Sequence, residues 1–402
     1  MFTRRRPTVA TRVQELTTIC RALLSQRGEV SGARLAKEVL DTYKSLDADA
    51  ADAFFDRLAT EFSPDETAVH TAAETYRRDP SEPNLVRLQE VVESPRQELF
   101  RRWNVAAGGT AALIDLRRQL LATLESHPER QGVDADLVHL FRSWFNRGFL
   151  VLQRIDWHTP AVILERLIEY EAVHQIQGWG DLRRRLEADR RCYAFFHPAL
   201  PDEPLIFIEV ALTRGMTAEV QPLIDPKSPV GDPTQADTAV FYSITNCQKG
   251  LRGVSFGNVL IKQVVEDLGR EFPRLRTFAT LSPIPGFRAW LTSADAHWMH
   301  VDVSGISAAD KNELTSMCAR YLLNAKRGKE PLDSVARFHL ANGASLERLN
   351  WMADPSSQGV QRSFGLMANY LYRVDDLDRN HEAYAGEYRI VASRSIRQLA
   401  QR

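Results

Sequence analysis

An α+β chain, helical in its first third and mixed afterwards, is the fold class this sequence predicts. Three observations carry that prediction. Amphipathic stripes at three- and four-residue spacing fill residues 1–145, with no strand-like alternation among them. Short β-branched and aromatic runs then appear and interleave with further helical stripes. The chain has 402 residues, enough for about two or three domains and for a core that needs no disulfide or metal staple.

In the first third, Val13, Leu16, Ile19 and Leu23 form one apolar stripe that ends before Gly28. Ser31 precedes a second stripe of Leu35, Val39, Leu40 and Tyr43. Ser63-Pro64-Asp65-Glu66 and Ser94-Pro95-Arg96-Gln97 both have the form of a capping box with Pro at the first helical position. Stripes through Leu113, Ile114, Leu116, Leu120 and Leu121, and through Leu137, Leu140, Phe141 and Trp144, complete an all-helical domain over residues 1–145. Residues 146–402 form the second domain.

That domain opens with a helix after Thr159-Pro160, through Leu164, Leu167, Ile168 and Tyr170. The period then shifts. Cys192–Pro198 and Pro204–Thr213 read as two strands of a hairpin, and Ala239–Cys247 as a third strand after the Pro- and Asp-rich loop Asp225–Asp237. A helix from Gly257 to Leu268 follows, then a strand over Phe278–Ser282 and a Pro-rich turn. A helix over Ala308–Lys326, a strand over Val335–Leu340 and helices toward the C-terminus end the pattern.

Composition excludes some function classes. Lys plus Arg number 51 and Asp plus Glu 52, a balance that argues against a dedicated nucleic-acid binder. The most apolar stretch, Pro204–Leu212, is short and interrupted by Glu209, so no membrane span is expected. The four cysteines, Cys20, Cys192, Cys247 and Cys318, are scattered without metal-ligand spacing, which suits a reducing compartment. The opening MFTRRRPTVATR reads as a basic, frayed start rather than an organelle transit peptide.

Three segments carry candidate chemistry. Tyr242–Val265 runs from a strand through a loop with Gly250, Gly253 and Gly257 into an amphipathic helix. That order aims backbone N–H groups and a positive helix end at an anion such as a phosphate. Lys249 and Arg252 favour the anion, although an ordinary glycine turn gives the same pattern. Ser282 ends a strand in the stiff turn Pro283-Ile284-Pro285-Gly286, placed either to meet a ligand or to bond its own backbone. His339 suits general acid chemistry near neutral pH, or is a hydrogen-bonded core residue. His158, His174 and His197 carry the same two readings, with Glu171 and His174 only an i, i+3 helical pair. His297 and His300 lack the partners a metal needs.

In order along the chain, FFHPALPDEPLIFIEVALT, AVFYSITNCQKGLRGVSFGNVLIKQVV, FATLSPIPGF, VARFHLANGASLERLNWMAD and SFGLMANYLY resemble the malonyl-CoA decarboxylase family. The resemblance spans about residues 141–372. It implies a helical N-terminal domain used in oligomerisation and a catalytic domain with the fold of GCN5-related N-acetyltransferases (GNAT). It implies conversion of malonyl-CoA to acetyl-CoA and carbon dioxide without a metal or organic cofactor, in a homotetramer of fatty acid metabolism. The coenzyme A pyrophosphate is then held by Arg252, Gly253, Val254, Ser255, Phe256, Gly257 and Asn258. Ser282 falls on the family's catalytic serine, described as proton acceptor, and His339 on its catalytic histidine, described as donor. Ser243 matches a further family serine that lines the site. Ser255 stands where some relatives carry a glutamate, so an acid there is not essential. The C-terminal QLAQR is no peroxisomal signal, and a cytoplasmic bacterial enzyme is the expected setting.

The chemistry sets its own demands. Loss of carbon dioxide from a malonyl thioester leaves an enolate, whose oxygen needs hydrogen-bond donors and whose carbon needs a proton. Ser282 and His339 supply those two functions, in an order the residues alone leave open. Two rivals share the features: an acyl-CoA N-acyltransferase with Glu209 as its base, and a non-catalytic CoA-binding scaffold. Neither releases carbon dioxide.

Overall fold

The computed structural model describes residues 8–254, 260–301 and 303–402. Contacts gather them into two compact units. One holds the described residues up to Leu150 with His197–Pro201 and those from Gln248 to Val254, and the other holds the remaining described residues.

Among the described residues, eight α-helices build the first unit: α1 (Val9–Leu24), α2 (Gln26–Lys44), α3 (Ala48–Thr60), α4 (Glu66–Arg78), α5 (Glu82–Val92), α6 (Pro95–Trp103), α7 (Gly109–Thr123) and α8 (Gln131–Trp144). The expected stripes face its core, where Leu16, Cys20, Leu23, Phe54, Leu58, Leu99 and Trp103 are buried. Among the described residues no strand interrupts the first 150. The caps differ in detail from the sequence reading. Asp65, not Ser63, caps α4, because its carboxylate accepts from the Ala68 N–H at 2.7 Å while the Ser63 hydroxyl turns back to the Ala59 carbonyl. Pro95 does begin α6, but the Ser94 hydroxyl is drawn to the Asp136 carboxylate at 2.6 Å. Asp136 also accepts from Arg96 and Gln97, which pairs a buried guanidinium and ties α6 to α8.

The second unit is a mixed sheet covered by helices. In chain order it contains β1 (Val151–Ile155), α9 (Ala161–Tyr170), α10 (Trp179–Arg185), β2 (Arg190–Phe196), β3 (Ile206–Thr213), α11 (Gln221–Ile224), β4 (Thr238–Asn246) and α12 (Leu260–Glu271). There follow β5 (Thr277–Thr280), β6 (Ser282–Pro283), α13 (Phe287–Ala294), α14 (Ala308–Asn324), the small hairpin β7 (Lys326–Arg327) and β8 (Glu330–Pro331), and α15 (Ser334–Ala341). The last elements are β9 (Ser345–Asn350), α16 (Ser357–Ser363), β10 (Met367–Leu371), α17 (Leu377–Glu387) and α18 (Arg394–Gln401). The sheet order is β1-β2-β3-β4-β5-β10-β6, with β9 also on β10. β2 and β3 form the expected antiparallel hairpin. The one parallel pair in this sheet, among the described residues, is β4 with β5.

Two irregularities open the sheet at that pair. Glu209 of β3 faces Ser243 and Val210 faces Phe241, so Tyr242 is an extra residue, a bulge in β4. The parallel ladder runs only from Thr238↔Thr277 to Phe241↔Thr280, and its last link is the Leu281 N–H on the Phe241 carbonyl at 2.9 Å. No described helix is long and apolar enough to cross a membrane.

Three expectations for this unit need correction. Val335–Leu340 is not a strand. It lies inside α15, capped by Asp333, whose carboxylate accepts from the Val335 and Ala336 N–H groups, and Ala336, His339 and Leu340 are buried at helical spacing. The C-terminal region is not helical throughout, since β9 and β10 are strands, and β10 is buried on both faces, where alternation carries no signal. The expected strand Phe278–Ser282 is divided, because β5 ends at Thr280 and Ser282 opens β6, which pairs with β10. β1 has no sequence signal, since its burial is confined to Ile155 and the partly buried Leu152.

Candidate active site

Ser282 sits in β6, where its register partner is Ala368 of β10. His339 comes from α15, and the two side chains meet: His339 Nε2 lies 2.8 Å from Ser282 Oγ. Both are buried, at 5% and 3% exposure, so their contact is dry. The chain of polar atoms extends at each end. Ser282 donates its hydroxyl to Thr280 Oγ1 at 2.8 Å, and that oxygen also accepts from the Tyr370 N–H at 3.1 Å. At the other end Tyr372 Oη is 2.7 Å from His339 Nδ1. Tyr370 stacks on the imidazole, with ring centroids 4.5 Å apart and planes 26° from parallel.

This network assigns the protons. Burial pushes the His339 pKa down to about 3, so the ring is neutral near pH 7 and carries a single N–H. Because the Ser282 hydrogen points to Thr280, Nε2 is the nitrogen that donates to Ser282, and Nδ1 accepts from Tyr372. Burial likewise raises the Tyr372 pKa, which keeps the phenol protonated as that donor. The result is a one-way line, Tyr372 to His339 to Ser282 to Thr280. Sequence reading named its middle pair and missed both ends. The available signal for Tyr372 was period two in MANYLY, which puts Ala368, Tyr370 and Tyr372 on one side of β10.

Ser243 is spent elsewhere. Its hydroxyl donates to the Glu171 carboxylate at 3.0 and 2.8 Å, and Thr245 joins at 3.3 Å. Glu171 and His174 are not a helical pair, because α9 stops at Tyr170 and the Glu171 carboxylate instead accepts from the Val173 and His174 N–H groups at 2.7 Å. His197 anchors to the Trp144 carbonyl at 3.0 Å. Glu209 is buried and bonded to Arg185 at 2.7 Å, which engages the carboxylate that an acyltransferase would need as a free base.

The first part of the anion loop is a type II turn. Arg252 has φ −55° and ψ 127°, Gly253 has φ +81°, and the Val254 N–H bonds the Leu251 carbonyl at 3.0 Å. That geometry requires positive φ at the third position, which glycine meets without strain. Leu251 and Val254 are buried, whereas Arg252 and Gly253 are exposed at the tip. Ser255, Phe256, Gly257 and Asn258 lie outside the described residues.

Comparison with known proteins agrees over nearly the whole chain. A family model described as Malonyl-CoA decarboxylase C-terminal domain matches residues 148–313 and 293–402, and one described as Malonyl-CoA decarboxylase N-terminal domain matches residues 62–145. The mitochondrial malonyl-CoA decarboxylase of Anser anser anser is 35% identical over 349 residues, which cover 75% of this chain and 69% of that protein. The Mus musculus protein of the same name is 35% identical over 344 residues, 75% of this chain and 70% of its own. Among solved structures, malonyl-CoA decarboxylase from Rhodopseudomonas palustris superposes with a TM-score of 0.89 at 48% identity, over 96% of this chain and 99% of that one. The Agrobacterium vitis enzyme gives 0.88 at 45% identity with the same coverage.

Proposed function

The chain belongs to the malonyl-CoA decarboxylase family, and from that premise we propose how its residues convert malonyl-CoA to acetyl-CoA and carbon dioxide. The observation that supports the assignment of roles is the hydrogen-bonded line through Tyr372, His339 and Ser282. When the bond between the α-carbon and the carboxylate breaks, its electron pair moves into the thioester as an enolate and carbon dioxide departs. Ser282, turned from Thr280, donates to the enolate oxygen, where an oxyanion-type bond contributes about 10²–10³-fold. His339 gives its Nε2 proton to the α-carbon. An enolate is basic enough to take a proton from a neutral imidazole, and Tyr372 offsets the charge left on the ring through Nδ1. The proton consumed in each turnover returns from solvent.

We assign the coenzyme A pyrophosphate to the Arg252–Asn258 loop, and Ser243 to support of the strand at the opening of β4 rather than to chemistry. Residues 1–145 serve oligomerisation as a homotetramer and residues 146–402 catalysis. The support is that α5 buries none of its residues and leaves Val86 and Val92 44% and 50% exposed. Four free, buried cysteines suit a cytoplasmic setting. The deciding experiment is release of labelled carbon dioxide from malonyl-CoA with no amine present. Acetyl transfer to an added amine with no release of carbon dioxide would overturn the reading. Light scattering at micromolar concentration tests assembly, and a monomer would count against it.

A further inference from the structure

The proposed coenzyme loop does not stand alone: its first half belongs to the helical unit. Arg117, on α7, is buried at 3% exposure, and Nε and Nη1 of its guanidinium are both engaged. Nε donates to the Asp134 carboxylate at 2.7 Å, and Nη1 donates to the carbonyls of Gly250 at 2.7 Å and Arg252 at 2.8 Å. Asp134 balances the buried charge, so the guanidinium acts on the loop and is not itself free to take an anion. A second contact presses the same two segments together. A Cβ at Gly250 would lie 2.0 Å from the Ile114 carbonyl oxygen, one turn before Arg117 on α7. Only glycine fits so close an approach.

The consequence follows from peptide geometry. A trans peptide holds its C=O and N–H on opposite sides. Once Arg117 draws the Arg252 carbonyl toward α7, the Gly253 N–H must point away from α7, at the exposed tip of the type II turn. We propose that Arg117 is a positioning residue for coenzyme binding, which sets the turn that presents the Gly253 N–H to the pyrophosphate. The helical N-terminal region thereby contributes to substrate affinity as well as to assembly. This inference rests on the assignment of the pyrophosphate to the loop.

The test compares malonyl-CoA with malonyl-pantetheine, which keeps the reacting thioester and lacks the pyrophosphate, in Arg117→Gln, Arg117→Lys and Gly250→Ala full-length enzymes. Loss of charge-assisted bonds predicts that Arg117→Gln lowers kcat/KM for malonyl-CoA about tenfold, through KM. Gly250→Ala, which pushes the loop off α7 without touching a charge, gives the same selective loss. Arg117→Lys recovers part of it. The truncated substrate is unaffected within about twofold in each variant. Equal losses on both substrates, no loss on either, or failure of all three variants to fold would assign Arg117 to stability and overturn the proposal. Gly253→Asp in parallel separates the two ideas. If it leaves affinity for free coenzyme A unchanged, the pyrophosphate assignment itself fails. If it weakens binding while Arg117→Gln does not, only the role of Arg117 fails.

Discussion

His339 Nε2 lies 2.8 Å from Ser282 Oγ, across 57 residues of sequence and from two elements, a helix and a two-residue strand, that are not neighbours in the chain. A contact so short between buried groups makes each the other's partner. Removing Ser282 leaves the His339 Nε2–H without an acceptor, whereas removing His339 leaves Ser282 its bond to Thr280, so rate and stability need to be measured together.

Ser282→Ala and His339→Asn should each lower turnover at least about a hundredfold, with affinity for free coenzyme A nearly unchanged. Steady-state kinetics, calorimetry with coenzyme A and a melting curve on the same samples check this. A folded variant that decarboxylates at near wild-type speed removes that residue from the mechanism.

Tyr372→Phe isolates the outer link. The variant keeps the ring that packs against Phe241, with centroids 6.3 Å apart, and loses only the hydroxyl on Nδ1. Without that donor, Nδ1 gains the proton as readily as Nε2, and His339 no longer faces Ser282 reliably as a donor. Turnover should fall about tenfold or more, with a stability loss of about 1–3 kcal/mol from the unpaired nitrogen. Unchanged kcat in a folded variant would show that Tyr372 does not direct the ring.

The contrast between Ser282 and His339 shows what the sequence can and cannot reveal. Ser282 was legible as the residue beside the Pro283, Pro285 and Gly286 turn, although it opens the short strand β6 rather than ending the strand before it. The element holding His339 was misread, because VARFHL is short and apolar and suits either period. The distinguishing feature is Asp333 just before it, an N-cap that composition alone makes easy to overlook. The helical first third was legible because its stripes are long and exposed on one side. β10 was not, since a strand buried on both faces loses its alternation, and in β9 the partly buried Glu347, Arg348 and Leu349 stand together and break any alternation. Thr280 stands two residues before Ser282 and was there to be read, whereas Tyr372 reaches His339 only through pairing of distant segments, which periodicity does not encode.

The depressed His339 pKa has a sign that stability measurements can check. In the folded chain the ring titrates at about 3, whereas an unfolded histidine titrates near 6.5. Between those values the unfolded chain holds a proton the folded one does not, so stability is full above about pH 6.5 and falls as pH drops. His174, pushed down to about 4 chiefly by burial, acts in the same direction. From pH 7 to 5.5, His339→Asn should lose about 1 kcal/mol less stability than wild type, by denaturant unfolding at both values. An identical acid response in the variant would mean that His339 is protonated in the folded enzyme.

Asp333 links the fold of the site to its chemistry. Its Oδ1 accepts from the Val335 and Ala336 N–H groups at 3.0 and 2.9 Å, which starts α15 two turns before His339. Its Oδ2 is 3.4 Å from the Tyr321 hydroxyl of α14. Burial raises the Asp333 pKa while these donors oppose the rise, so the carboxyl depends on its partners. Asp333→Ala should cost about 0.5–2 kcal/mol as a lost N-cap. It should also lower kcat, because the first turn of α15 frays and the 2.8 Å contact of His339 with Ser282 loosens. Asp333→Asn keeps an acceptor for the same two N–H groups and should recover most of both. If Asp333→Ala lowers the melting temperature while kcat at 25 °C stays at the wild-type value, the cap serves stability alone, and the position of His339 is set by its stacking on Tyr370.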